Sequence, residues 1–132
     1  MAGLTLDTGA LIAADRGDRR FWTYWKEAER RDVDLTVPAA VLAQAWRGAR
    51  NARMARVLEA CVVEDLDYFI ARDSGLLCGR SRTDDVVDAS VIVGAARRGD
   101  DVLTSDPHDL AHLAAMTPGV GRILDLTRSA PT

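Results

Sequence analysis

Lysine is nearly missing from this sequence. Of 17 basic residues, only Lys26 is not arginine. Arginine suits bidentate contacts to phosphate. A GC-rich genome produces the same bias, so the imbalance alone assigns nothing. Cysteine is scarce too. Cys61 and Cys78 form no C-x-x-C motif, and they read as reduced, buried thiols of a cytoplasmic protein. No apolar run approaches the ~20 residues of a membrane span. The opening MAGLTLDTG has neither a basic n-region nor a long apolar core, so it reads as no signal peptide. No internal repeat, linker or low-complexity segment interrupts the chain. The net charge of −3 gives no overall pull toward nucleic acid, so any basic surface must be local. What is present is globular: 48% hydrophobic and 28% charged residues. The 132 residues fit one domain, 1–132, with room for a real core.

The chemistry is concentrated between Thr83 and Leu110, TDDVVDASVIVGAARRGDDVLTSDPHDL. This reads as helix, tight turn, buried strand, loop and helix. Asp84, Asp85 and Asp88 open the first helix. Spacings of three and four residues share a helical face, so Asp88 can lie beside either neighbour. Val87, Val91, Ala95 and Ala96 supply its apolar positions. Arg97, Arg98 and Gly99 suit its end. Val102 to Thr104 reads as a buried strand that Ser105-Asp106-Pro107 breaks, with Pro107 suited to the first turn of the next helix. Asp106 thus falls at a strand's carboxyl end, where open α/β sheets bind ligands. Acids collected there repel one another unless a cation lies between them, and a divalent metal is the economical answer. The structural alternative is that acids at helix starts serve the macrodipole or cap the first turn. Convergence of several acids decides between the two.

A second acid stands in the same setting. Leu4 to Leu6 reads as a strand ending at Asp7, with Thr8 and Gly9 turning into a helix over 10–14. Residues 18–32 form an amphipathic helix with Phe21, Trp25 and Ala28 on one face. Trp22 and Tyr24 widen its apolar surface, either as ordinary packing or as a partner-binding face. Asp34 to Val37 reads as a strand. Pro38 opens a helix with Val41, Leu42, Ala45 and Trp46 on its apolar side and Gln44 within it. A further helix covers about 50–60. Arg47, Arg50, Arg53 and Arg56 recur every third residue. As one helical surface they make a basic stripe able to touch several phosphates; otherwise they are a solvated face. Residues 61–63 look like a third strand. A helix over 67–79 turns Phe69, Ile70, Leu76 and Leu77 inward. Helix 107–116 and strand 121–126 follow, and the tail 128–132 reads as loose.

Short strands alternating with helices imply a parallel sheet covered on both faces, with right-handed crossovers. The first strand and strand 102–104 are then near neighbours, which brings Asp7, Asp88 and Asp106 together from distant parts of the chain.

Asp7 in LDTGALIA, Asp88 in DVVDASVIVGAA and Asp106 in VLTSDPHDL resemble the acidic pattern of PIN-domain ribonucleases, in particular the VapC-type toxins of bacterial toxin–antitoxin pairs. The resemblance covers almost the whole chain. It implies an α/β/α sandwich around a central, mainly parallel sheet. It also implies Mg²⁺ or Mn²⁺, endonucleolytic cleavage of RNA, a homodimer, and inhibition by a small antitoxin protein. One position departs. The family carries a glutamate in the helix after the second strand, in a context like VPAAVLAEAWRG, and this chain has Gln44 there. Glutamine offers a metal one carbonyl oxygen but no charge, so activity is expected to be weak or absent. Asp85 or Asp109 can partly make up the loss.

Carboxylates prefer hard cations. With Asp7, Asp88 and Asp106 as ligands, the expected reaction is in-line attack of an activated water on a phosphodiester, leaving a 5′-phosphate. Thr104 and Ser105 would position water or phosphate, and Thr8 would support a ligand from behind. A module that binds RNA or a partner without cutting is the alternative. Three other readings are set aside. His108 and His112, in HDLAH, lack a third histidine for zinc. Gly9 stands where an aspartyl phosphatase needs an acid. No late lysine is available for a receiver domain.

Overall fold

The computed structural model describes residues 2–127, so the expected loose tail over 128–132 lies outside the described residues. In chain order the elements are β1 (Leu4–Leu6), α1 (Thr8–Asp15), α2 (Arg19–Arg30), β2 (Leu35–Pro38), α3 (Ala39–Ala45) and α4 (Ala52–Glu59), then β3 (Val62–Glu64), α5 (Tyr68–Ser81), α6 (Val86–Arg98), β4 (Asp101–Thr104), α7 (Pro107–Ala114) and β5 (Ile123–Asp125). Aspartates precede five of the helices, and four of them cap with the side chain. Asp7, Asp18, Asp67 and Asp85 each accept a backbone N–H of the first turn of α1, α2, α5 and α6. This satisfies donors that have no partner inside the helix.

The strands form one parallel sheet in the order β3-β2-β1-β4-β5. From β1 the chain passes to β2 on one side, and β4 lies on the other. The order therefore reverses between β1 and β4. In open α/β sheets the crevice at the carboxyl ends of such a strand pair is where ligands bind. The two central strands are wholly buried, as befits a sheet covered on both faces. Helix α6 crosses β1, β2 and β4 and packs against α5 and α7. It is buried almost all round, from Ala89 to Ala95. Helix α1 packs on β4 and against α2, α3 and α4. Leu6, Leu11, Phe21, Ile92 and Leu103 are fully enclosed. Each such side chain contributes roughly 1.5–3 kcal/mol of burial. Among the described residues no helix is long and apolar enough to cross a membrane. Both cysteines are free, and burial pushes the Cys61 thiol up to about 12.

Three expectations are corrected. Ile70 and Leu77 of α5 point inward with Ser74, Cys78 and Ser81, but Phe69 and Leu76 face outward. Those two lie seven residues apart, one position before the buried stripe, so they occupy a different helical face. Trp46 is not on the inner side of a helix: it caps the end of α3 and is half-exposed. The arginine stripe is broken. Helix α3 stops at Ala45 and α4 begins at Ala52. Arg47 and Arg50 therefore sit in the connecting loop, and only Arg53 and Arg56 share a helix.

A partly buried polar cluster lies beyond anything the sequence patterns indicate. The Arg98 guanidinium donates to Asp100 at 2.9 Å, to the Thr5 hydroxyl at 3.0 Å and to Glu64. Thr5 in turn donates to Asp100 at 2.8 Å. The cluster ties edge strand β3 to the end of α6, and each charge in it has a partner, as burial requires.

Candidate metal centre

Asp7 follows β1 directly and is 4% exposed. Its backbone is extended, and both carboxylate oxygens are held. Oδ1 accepts the Ala10 N–H at 2.8 Å, and Oδ2 accepts the Thr104 hydroxyl at 2.5 Å. Burial raises its pKa to about 6; the bonds from Thr104 and Ala10 offset only part of this, and the charge of Asp106 adds to the rise. Thr104 ends β4 beside β1. The same hydroxyl accepts the Asp106 N–H at 2.8 Å.

Asp106 precedes Pro107 at the start of α7 and makes no side-chain cap bond. Its pKa is raised by desolvation first and then by Asp109. Asp88 lies in the first turn of α6 and is half-buried. Its pKa is raised to about 7 by burial first, and then by the charges of Asp85, Asp7 and Asp106. Asp85 serves mainly as the cap of α6, accepting the Asp88 N–H at 2.9 Å.

Ligand oxygens of Asp88, Asp106 and Asp109 lie within 4.8 Å of one another. The tightest group thus contains Asp109, with Asp7 set behind it and engaged by Thr104. Asp109 stands three residues after Asp106 in the first turn of α7, a spacing that shares a face. That spacing was readable in the sequence, but the rotation of α7 relative to α6 was not. Beside the group runs a cleft of about 830 Å³ lined by Thr83, Asp84, Asp85, Asp88, His108 and Asp109. His112 turns its Nε2 to the Ser81 carbonyl at 3.2 Å.

Gln44 stands near the end of α3, exposed, and its Oε1 accepts the Thr8 hydroxyl at 2.6 Å. Thr8 follows Asp7, so Gln44 is tied to the end of the sheet that carries the acids. Ser105 is exposed in the β4–α7 turn and packs against Gly9. A Cβ on Gly9 would lie 1.9 Å from the Ser105 Oγ, so only glycine lets α1 start this close to the turn. Its place beside Thr8 was the sole sequence hint.

The other expected residues lie elsewhere. Arg47, Arg50, Arg53 and Arg56 are exposed. Arg53 donates to the Asp15 carbonyl at 3.1 Å, and Arg47 to the carbonyls of Ala43 and Trp46. Trp22 is half-buried and edge-on to Phe21 and Trp25. Tyr24 lines a groove of about 430 Å³ at the amino end of β1, with Arg31 and Arg122 on its rim.

Chemically, Asp88, Asp106 and Asp109 gather carboxylate oxygens that no salt bridge among the described residues engages. That suits a hard divalent cation held by Asp88, Asp106 and Asp109, with Asp7 adjoining.

No family model and no curated protein matches the sequence. Solved structures do. A chain of DNA-bound VapBC from Salmonella typhimurium is similar with a TM-score of 0.64 at 20% identity, covering 96% of this chain and 99% of that one. PAE2754 from Pyrobaculum aerophilum is similar with a TM-score of 0.59 at 16% identity, over 96% of this chain and 90% of that one. Likeness at this identity establishes architecture, and the chain has the fold of the VapC-type PIN domains, as its acidic motifs implied.

Proposed function

We propose that this chain is a Mg²⁺- or Mn²⁺-dependent endoribonuclease, the toxin of a toxin–antitoxin pair, weakened by Gln44. The observation that carries the reading is the meeting of Asp88, Asp106 and Asp109 within 4.8 Å, with Asp7 adjoining and its pKa raised to about 6. Acids from α6, from α7 and from the carboxyl ends of β1 and β4 crowd one point, and among the described residues none of them has a salt-bridge partner. A bound Mg²⁺ or Mn²⁺ supplies Lewis-acid polarisation of a phosphodiester and a more acidic water. The chain's own groups do the rest. Thr104 fixes the orientation of Asp7 and the turn that carries Asp106. Thr8 holds Gln44 against the start of α1. Ser105, exposed on the turn, is the candidate donor to a phosphate oxygen. The open acidic cleft leaves room for a strand of RNA. Arg53 and Arg56 on α4, with Arg47 and Arg50 in the loop before it, are the candidate phosphate contacts. The Salmonella protein was solved as a VapBC complex bound to DNA, which supports a small protein antitoxin as the partner here. Pairing of two copies is part of the same reading.

The second reading is a module that binds RNA or a partner without cutting, and Gln44 favours it, because the amide removes one negative charge beside the centre. The test is cleavage of end-labelled RNA with Mg²⁺, Mn²⁺ or a chelator, for the chain as written, for Gln44→Glu and for Asp7→Asn with Asp106→Asn. Metal-dependent cleavage yielding 5′-phosphate ends, strongest in the glutamate form and lost in the double variant, is expected. Binding of RNA with no cleavage by either parent or Gln44→Glu overturns the nuclease reading in favour of the module.

A further inference from the structure

Trp46 is the tryptophan that the core does not use. Trp22 and Trp25 pack on Phe21. Trp46 is 36% exposed and lies outside the core cluster. Among the described residues it meets no other aromatic ring, and its indole N–H has no hydrogen-bond partner. A single exposed tryptophan is commonplace on a surface, but this one stands on a built support. Its backbone N–H closes α3 on the Leu42 carbonyl at 2.9 Å. The Arg47 N–H donates to Asn51 Oδ1 at 2.7 Å, and the Asn51 amide donates to Asp15 at 2.9 Å. Asp15 also accepts the Met54 N–H at 3.1 Å, which fastens the loop to the ends of α1 and α4. These bonds fix the backbone that carries the ring. A group held in place beforehand loses little freedom when a ligand covers it.

Arg47 completes the arrangement. One guanidinium nitrogen, Nη1, donates to the carbonyls of Ala43 and Trp46, at 3.2 and 2.7 Å. The Nε and Nη2 edge makes no bond among the described residues, and such an edge is the fork that phosphate oxygens fit. The place is the acid end of the sheet. Gln44 is tied to Thr8 beside Asp7. Trp46 follows Gln44 by two residues, so their Cα atoms lie within about 7 Å. We propose that Trp46 and Arg47 form a nucleotide clamp. A base of the RNA strand stacks on the indole, and a neighbouring phosphate takes the open guanidinium edge. Every base offers a π-face, so the clamp holds the strand beside the acids without choosing a sequence there. It needs an unstacked base, because one inside a duplex has both faces covered. The inference rests on RNA as the ligand, which the nuclease reading and its RNA-binding alternative share, and it does not need cleavage.

Binding of a short single-stranded 2′-O-methyl RNA, followed by fluorescence anisotropy in chelator, separates the clamp from catalysis. The comparison strand has the same sugar–phosphate backbone without bases. Trp46→Leu is expected to weaken binding of the base-bearing strand about 5–100-fold, the range for losing one stacked base. It should leave the baseless strand and the salt slope unchanged. Trp46→Phe keeps a ring and should retain most of the affinity. Arg47→Gln should weaken both strands alike. The Trp46 variants should melt near the parent, since the side chain lies outside the core cluster. Independently of the leucine variant, base-bearing RNA should quench tryptophan emission in the parent and leave that of Trp46→Phe unchanged. A parent that binds base-bearing RNA no better than Trp46→Leu does overturns the clamp and leaves the nuclease reading standing. Equal quenching in the parent and Trp46→Phe does the same. A parent that binds no RNA even at low salt overturns the clamp together with RNA as the ligand. RNA binding that needs Trp46, in a chain that never cuts, supports the clamp and removes only the nuclease reading.

Discussion

The Thr104 hydroxyl joins Asp7 to the backbone of Asp106, donating to the Asp7 carboxylate at 2.5 Å and accepting the Asp106 N–H at 2.8 Å. One oxygen thus couples the ends of β1 and β4. Thr104 is completely buried, so neither bond can be replaced by water. Thr104→Val keeps the volume and removes both bonds. The expected cost is about 1–3 kcal/mol, because a buried acceptor and donor lose their partner. Without the hydroxyl the Asp7 pKa rises further, since that bond lowers it. Metal affinity near neutral pH falls accordingly. Thr104→Ser keeps the hydroxyl and should hold metal affinity near the parent value. Melting curves and Mn²⁺ titration of the two variants check this.

Added Mn²⁺ should raise the melting temperature of the parent, because a ligand bound only by the native state stabilises it. Asp106→Asn with Asp109→Asn removes two of the three carboxylates that approach within 4.8 Å and should abolish the shift. Asp7→Asn with Asp106→Asn should do the same if Asp7 also contributes a ligand. A shift that survives both double variants places the ion elsewhere.

Without metal, the acid cluster should make stability fall with rising pH. Asp7 and Asp88 have folded pKa values raised from 3.8 to about 6 and about 7. The native state therefore holds these protons more tightly than the unfolded chain. Their contribution is fully present below 3.8 and is lost as pH rises through about 7. Asp88→Asn removes the half-buried charge. Relief on the order of 1–2 kcal/mol at about pH 8 corresponds to a rise of about 2–8 °C in chelator. At about pH 4 the two proteins should melt together. Differential scanning calorimetry across this range decides it; a variant that melts below the parent at alkaline pH contradicts the repulsion.

Gln44→Glu restores a carboxylate at nearly constant volume. One oxygen can still accept the Thr8 hydroxyl, now at 2.6 Å from the amide oxygen, and the other is free. Metal affinity or cleavage should improve ~10–100-fold, the usual loss when a ligand or its support is removed. The added charge should lower metal-free stability and enlarge the gain on adding metal. Equal rates and equal metal affinity in the two forms would show that position 44 does not reach the ion.

Because α3 and α4 are separate helices, the arginines should act in two pairs. Every phosphate that an arginine no longer neutralises lowers the log–log salt slope of single-strand binding by roughly 0.7. Arg53→Ala with Arg56→Ala removes the helical pair, and Arg47→Ala with Arg50→Ala the loop pair. Binding of a non-cleavable RNA should show which pair meets the phosphates. Two unchanged slopes would make the arginines a solvated face.

The alternation of strands and helices follows from local pattern, because period, caps and breakers are local properties of the chain. Local pattern also placed Asp7 and Asp106 at strand ends and Asp88 in the first turn of a helix, since each position follows from where a pattern stops. Right-handed crossovers then made their meeting predictable. The remaining features depend on how the elements pack. Asp109 joins the close group because α7 rotates its first turn toward α6, and no spacing along one helix fixes a rotation against another. Asp7 stands back because Thr104, from a different strand, holds it. Phe69 and Leu76 face outward because the partner of α5 is α6, and the face that α6 covers holds Ile70, Ser74 and Leu77 instead. The arginine stripe failed for a related reason: a regular spacing implies a surface only if one helix carries it, and here the chain turns between Ala45 and Ala52.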